Sequence, residues 1–347
     1  MKGEDKSVET ELKTNGRFDT AANALCGKIG DCLHALPPEV KNSAQEIRLR
    51  AGRPVSLCCT GGIYFLGRSG RLTRCPAEAC LTATKEDLDG SFKNICGYSV
   101  YSHENEIRNG YITVYGGHRV GICGTAVFKD GNVCGMKDIS SINVRVAREV
   151  IGCADAIMAE LKSSLSGGLL LAGAPSSGKT TILRDIARQL SCGENGESKK
   201  VTVVDERGEI AGTYLGVPQN DLGPCCDVLD GYPKAGGIMQ AIRALSPQFI
   251  VCDELGTQAE ASAVEQSLNA GAAVVASIHA GSIEELLKRR QAAGLLRTGA
   301  FENIVMLGGK VPGTVSGIYK TGDLLAEDFR LADTYSVGDA CGIYGIA

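Results

Sequence analysis

The sequence predicts an α/β protein in two parts, a smaller sheet-rich α+β N-terminal domain followed by a core of parallel strands and helices. Three observations carry this. The apolar run Leu169-Leu170-Leu171-Ala172 leads into Gly173-Ala174-Pro175-Ser176-Ser177-Gly178-Lys179-Thr180-Thr181 and then into the helical pattern Ile182-Leu183-Arg184-Asp185-Ile186-Ala187, which is G-x-x-x-x-G-K-[ST] in the strand–loop–helix setting that motif requires. Two further apolar runs close on acids, Phe249-Ile250-Val251-Cys252 on Asp253-Glu254 and Val201-Thr202-Val203-Val204 on Asp205-Glu206. Carboxylates at the ends of such strands face the ligand crevice of an open sheet. Upstream of residue 150, short apolar stretches separated by glycines read as hairpins. Together these predict a P-loop NTPase core behind an α+β domain.

Length supports the division, since 347 residues exceed the usual span of one domain. The expected parts are an unstructured start over 1–20, the α+β domain over 21–150, the nucleotide core over 151–320 and a tail over 321–347 without recognisable chemistry. A net charge of -4 weighs against a nucleic-acid partner. Fifteen cysteines without a leading apolar segment or a C-x-x-C pair predict reduced thiols, most of them small buried hydrophobes, in a cytoplasmic chain. No run of eighteen apolar residues occurs, so membrane contact is expected only through a partner.

In the first domain, Ala22, Leu25, Ile29, Cys32, Leu33 and Leu36 fall at helical spacing, and Pro37-Pro38 stops that helix. Alternating Glu46-Ile47-Arg48-Leu49-Arg50, a turn at Gly52-Arg53-Pro54, and Val55-Ser56-Leu57-Cys58-Cys59 predict strand, turn and strand. A helix over 83–97 precedes hairpins that include Gly110-Tyr111-Ile112 and Gly116-Gly117-His118. No carboxylate or nucleophile is spaced to serve His118, which reads as a turn histidine. Residues 139–148 leave the domain as a strand, carrying Arg145 and Arg148 towards a helix over 154–161. Basic residues beside a P-loop domain can complete its nucleotide site, though a solvated strand face explains them equally well.

In the core, Gly173 and Gly178 let the loop turn its N–H groups inward on phosphate oxygens, and the helix opening at Lys179 adds its positive end. Lys179 supplies a charge to the β/γ-phosphates of ATP, and Thr180 a ligand to Mg²⁺. Asp253 is the second expected Mg²⁺ ligand, and Glu254 the expected base for an attacking water. Residues 212–236 form a long glycine- and proline-punctuated excursion of the kind that is usually functional. Helices are expected over 238–245, 259–270 and 283–293. A strand over 272–278 ends at His279, which, like Ser277, is placed to sense a γ-phosphate or else is structural. Ile304-Val305-Met306-Leu307 and Thr314 to Tyr319 predict a closing hairpin about Pro312-Gly313.

Motifs largely outside the nucleotide site narrow the choice of family: Glu46-Ile47-Arg48-Leu49-Arg50-Ala51-Gly52-Arg53-Pro54, Gly116-Gly117-His118-Arg119-Val120-Gly121, Lys137-Asp138-Ile139-Ser140-Ser141, Arg145-Val146-Ala147-Arg148-Glu149, Asp227-Val228-Leu229-Asp230-Gly231-Tyr232-Pro233-Lys234 and Pro312-Gly313-Thr314-Val315. In these the chain resembles, from about Gln45 to Tyr319, the stage III sporulation AA family, relatives of the type II and type IV secretion ATPases. The resemblance implies that Asp205 to Glu209 form an aspartate box and His279 a histidine box, so that Glu206 competes with Glu254 as base. It also leads one to expect a basic residue near Cys225-Cys226. None is there, which leaves Arg243 or Arg148 for that role. What the resemblance implies for fold is a RecA-like P-loop NTPase core under a mobile N-terminal domain, and for function a ring ATPase, usually hexameric, in the mother-cell cytoplasm, docked on membrane proteins of a channel complex to the forespore. Two other functions share the motifs: a nucleotide-gated assembly factor with little turnover, and a nucleic-acid-stimulated ATPase, which the acidic charge disfavours.

Overall fold

The computed structural model describes residues 16–99, 103–108, 110–161, 164–194 and 196–326. Two compact units emerge, one running to Glu149 and including Gly212–Asn220, the other made of Val150–Ala211 and the chain from Asp221 onwards.

The first unit is a seven-stranded antiparallel sheet. Its strands are β1 (Ala44–Arg50), β3 (Ser56–Cys59), β4 (Gly62–Leu66), β5 (Leu72–Thr73), β7 (Tyr111–Val114), β8 (His118–Lys129) and β9 (Asn132–Arg145), in the order β5-β4-β3-β1-β9-β8-β7. A separate pair joins β2 (Arg53–Pro54) to β6 (Thr82–Ala83). Period-two patterning dictates which face is wet: Ile47 and Leu49 are fully buried, while Glu46, Arg48 and Arg50 point the other way. The apolar face packs with Leu57, Ile112, Val120, Ile142 and Val144 against Phe18, Ile29, Leu33 and Leu88 of the helices.

Those helices depart from expectation at three points. Helix α1 spans 16–23 and so begins inside the 1–20 stretch expected to be unstructured, because Phe18 is wholly buried and anchors it; residues 1–15 lie outside the described residues. The single helix expected over 21–36 is two, since the chain is extended at Cys26 before α2 (Gly27–His34). α3 (Pro38–Ser43) and α4 (Lys85–Ile95) follow, and α5 (Glu104–Arg108) is helix where hairpin was expected. The returning segment 212–220 is tied in by Arg17, whose guanidinium donates to Gly116 O (3.0 Å), Gln219 O (3.2 Å), Asn220 Oδ1 (3.1 Å) and Glu149 Oε2 (3.0 Å). His118, at the first residue of β8, is no exposed turn residue: it is fully buried, and its Nδ1 accepts from the Ala147 N–H at 3.0 Å.

The second unit is a seven-stranded sheet ordered β12 (Cys226–Asp230), β11 (Val201–Asp205), β13 (Phe249–Cys252), β14 (Ala273–His279), β10 (Leu169–Gly173), β15 (Asn303–Leu307) and β16 (Val315–Lys320). All are parallel except β16, which closes the expected hairpin on β15. β10, β11, β13 and β15 are buried at every residue, as strands covered on both faces must be. The covering helices are α6 (Asp155–Leu161), α7 (Lys179–Cys192), α8 (Lys234–Ala244), α9 (Gln258–Asn269), α10 (Ile283–Lys288), α11 (Arg290–Arg297) and α12 (321–326). The helix expected over 283–293 breaks at Arg289, which is extended. β12 arises within the expected excursion, a partly exposed edge strand whose acids Asp227 and Asp230 disguise it. Among the described cysteines all are free, and four (Cys59, Cys80, Cys96, Cys252) are buried, so burial does not account for most of them.

A candidate nucleotide site at the ends of three adjacent strands

Strand order builds the site. β14 lies between β10 and β13, and the parallel register sets Gly173 beside His279 and Cys252 beside Ala276. Ser277 and His279 therefore end up between the loop after β10 and the acids after β13, although a hundred residues of sequence separate Lys179 from His279.

The loop after β10 is tightly built. Gly178 has φ +94°, and a Cβ there would stand 2.8 Å from the Gly313 nitrogen, so only glycine fits. Gly313 in turn donates its N–H to Ser177 O at 2.7 Å, bracing the loop with the β15–β16 turn. Helix α7 opens directly at Lys179 with no acid in its first turn, leaving its positive end unopposed. Lys179 is buried, and its Nζ donates to Gly173 O (2.9 Å), Ala174 O (2.8 Å) and His279 Nδ1 (3.2 Å). Burial lowers its pKa, with Asp253 and Glu254 pulling the other way. An ammonium only donates, so Nδ1 of His279 is the acceptor and Nε2 carries the proton. That Nε2 then donates to Glu254 Oε1 at 2.8 Å, and Arg207 Nη1 donates to Glu254 Oε2, also at 2.8 Å.

The neighbouring acid is differently placed. Asp253 Oδ2 accepts from Thr180 Oγ1 at 2.7 Å, and its Oδ1 accepts from Ser277 Oγ. The same Ser277 oxygen accepts the Glu254 N–H at 3.0 Å. Glu254 needs that support, since its φ of +44° is rare for a residue with a side chain.

The acids after β11 divide the labour. Asp205, 2% exposed, accepts the N–H groups of Glu209, Ile210 and Ala211 at 2.9, 3.0 and 2.8 Å. Burial nonetheless pushes its pKa up. Arg184 of α7 completes the latch, donating to Ile210 O (2.8 Å) and Glu209 O (2.7 Å). Glu206 forms an ion pair with Lys234 Nζ at 2.8 Å, and Lys234 also faces Glu260 at 3.7 Å. Burial of Lys234 would lower its pKa, but the two carboxylates hold it above its ordinary value.

Of the residues singled out in the sequence, Lys179, Thr180, Asp253, Glu254 and His279 converge, and Glu206 stands beside them. Arg243 does not join this cluster. Arg243 is exposed in the last turn of α8, roughly 13 Å along the helix from Lys234. Arg148 belongs to the first unit, where it donates to Ala44 O at 2.7 Å and burial lowers its pKa. Sequence reasoning assigned no role to Arg207 or Lys234. Each pairs with a carboxylate, and their only prior signal was membership of the family motifs.

The donor set fits a nucleotide and Mg²⁺. Ser177 Oγ is buried without a hydrogen-bond partner among the described residues, an orphan donor inside the loop. A hydroxyl and one carboxylate, Thr180 and Asp253, are hard oxygen ligands of the kind Mg²⁺ takes when phosphates and water supply the rest. The described residues contain no cluster of three acidic, histidine or cysteine ligands, which a dedicated all-protein metal cage would need.

This arrangement is that of a P-loop NTPase fold, the fold of the solved proteins with which the chain aligns. The crystal structure of the pilus retraction motor PilT with bound ADP aligns at a TM-score of 0.51 over 85% of each chain at 15% identity. The Legionella pneumophila ATPase DotB aligns at 0.50 over 84% of each chain, also at 15% identity. Residues 17–324 match the family described as sporulation stage III, protein AA, and the chain belongs to that family. Its similarity to the stage III sporulation protein AA of Bacillus subtilis (strain 168) is 38% identity over 309 residues, covering 88% of this chain and 96% of that one. No helix among the described residues is long and apolar enough to cross a membrane.

Proposed function

We propose that the protein is a Mg²⁺-dependent ATPase. The observation that carries this is the chain of contacts Lys179–His279–Glu254, set beside the Thr180–Asp253 pair at the ends of three adjacent strands. On nucleotide binding, the β/γ-phosphates replace Gly173 O and Ala174 O as partners of the Lys179 ammonium. The loop N–H groups and the start of α7 hold the phosphate charge. Thr180 and Asp253 are the residues to hold Mg²⁺, which would neutralise charge on the phosphate oxygens. Water attacks the γ-phosphorus, the bond to the β–γ bridging oxygen breaks, and the water proton passes to Glu254. His279, neutral and donating from Nε2, orients that carboxylate.

Glu254 is favoured over Glu206 because it shares His279 with the phosphate-binding Lys179 and adjoins Asp253, whereas Glu206 pairs with Lys234 at the start of α8. Family membership and the P-loop fold support the wider reading, a ring, expected to be hexameric, in the mother cell. It would dock on membrane proteins of a sporulation channel complex and drive them by domain motion. A nucleotide-gated assembly factor with little turnover is the second reading, favoured by the engagement of both Glu254 carboxylate oxygens, by His279 and by Arg207.

Steady-state hydrolysis with Mg²⁺ tests both, using wild type, Glu254→Gln and Glu206→Gln, with light scattering to follow assembly. Turnover that Glu254→Gln alone abolishes supports the motor. Assembly driven by ATP with no turnover supports the second reading.

A further inference from the structure

Both oxygens of the Glu254 carboxylate are engaged, Oε1 by His279 and Oε2 by Arg207. The two partners differ in kind. His279 is locked between Lys179 and Glu254, while the Arg207 side chain is 57% exposed. An ion pair that open to water contributes little to fold stability, so stability is a poor reason for its presence. Its mounting is the opposite of loose. The 206–211 turn carrying Arg207 is fastened by three N–H bonds to Asp205 and by two carbonyl bonds from Arg184. A rigid turn thus delivers a readily exchanged guanidinium onto the one oxygen of Glu254 that His279 leaves open.

We infer that Arg207 is a positioning residue that restrains Glu254, occupying the carboxylate oxygen that would otherwise accept the proton of the attacking water. The inference rests on the ATPase reading with Glu254 as base. Charge-assisted pairing of this type both fixes the carboxylate and draws electron density from it, so turnover waits on departure of the guanidinium. The turn between Asp205 and Ala211 is then a handle by which the resting rate is set.

The test compares wild type, Arg207→Ala, Arg207→Lys and the double variant Arg207→Ala/Glu254→Gln in the full chain. It measures Mg²⁺-ATP hydrolysis together with equilibrium binding of N-methylanthraniloyl-ATP. Arg207→Ala is expected to raise kcat about fivefold, the worth of one exposed ion pair, with nucleotide affinity unchanged. Arg207→Lys keeps the charge and should stay near wild type, and the double variant should be inactive. If Arg207→Ala binds nucleotide normally yet hydrolyses at the wild-type rate or slower, the restraint is refuted while the ATPase reading stands. A gain in rate that survives in the double variant also refutes it, because the gain then bypasses Glu254. Failure of wild type to bind the nucleotide at all overturns both.

Discussion

The two units solve the same problem, burying a seven-stranded sheet, in opposite ways. The antiparallel sheet of the first unit covers one face and wets the other, so its strands alternate, as in Ile47 and Leu49 against Glu46, Arg48 and Arg50. The mainly parallel sheet of the second is covered on both faces and reads as unbroken apolar runs. Polar chemistry is then excluded from its faces and concentrated at the strand ends, where Lys179, Asp253, Glu254 and His279 meet. The lesson is that covering both faces of a sheet pushes function to the ends of its strands, while leaving one face open spreads polar groups thinly.

The largest test of that contrast is Lys179→Ala, expected to lower hydrolysis by about 100-fold or more while the first unit's thermal transition stays put. Next come paired core truncations. Leu171→Ala in β10 and Leu49→Ala in β1, both fully buried, should each cost about 2–5 kcal/mol. Calorimetry should show each confined to its own transition, and a shared shift would mean that the units melt as one.

A third test uses acid. Burial, with the Arg17 charge adding to it, pushes the His118 imidazole down to about 4. The unfolded chain takes up that proton near its ordinary value of 6.5, the folded one only near 4, so stability falls as pH drops through that window. The loss approaches about 3 kcal/mol by pH 4, in the first unit's transition alone. His118→Asn, whose side-chain oxygen can accept from Ala147 as Nδ1 does, should flatten the slope. The smallest effect is one the contrast predicts to be equal. Thr84 of α4 and Thr257 of α9 each close a capping box, and Thr→Ala at either should cost about 1 kcal/mol.

What could be read from the sequence follows the same division. β10, its loop and α7 were legible because the motif is local, and the apolar run of β13 because burial on both faces leaves no other composition. β12 was not, since an edge strand tolerates Asp227 and Asp230. Nor was the return of 212–220 to the first unit, which depends on Arg17 reaching residues some two hundred positions away. The convergence of Lys179, Asp253 and Glu254 was expected from motif chemistry. The hold of Arg207 on Glu254 was not, because it requires β11 and β13 to be neighbours, and strand order is a global property.

The left-handed backbone at Glu254 sets folding and chemistry against each other at a single residue. Glycine would occupy that φ without the strain of about 1 kcal/mol that a side chain incurs there. A Glu254→Gly protein should therefore fold at least as well as the parent while losing the carboxylate on which its proposed reaction turns. Folding thus supplies no reason for a glutamate in that turn, whereas the proposed chemistry does.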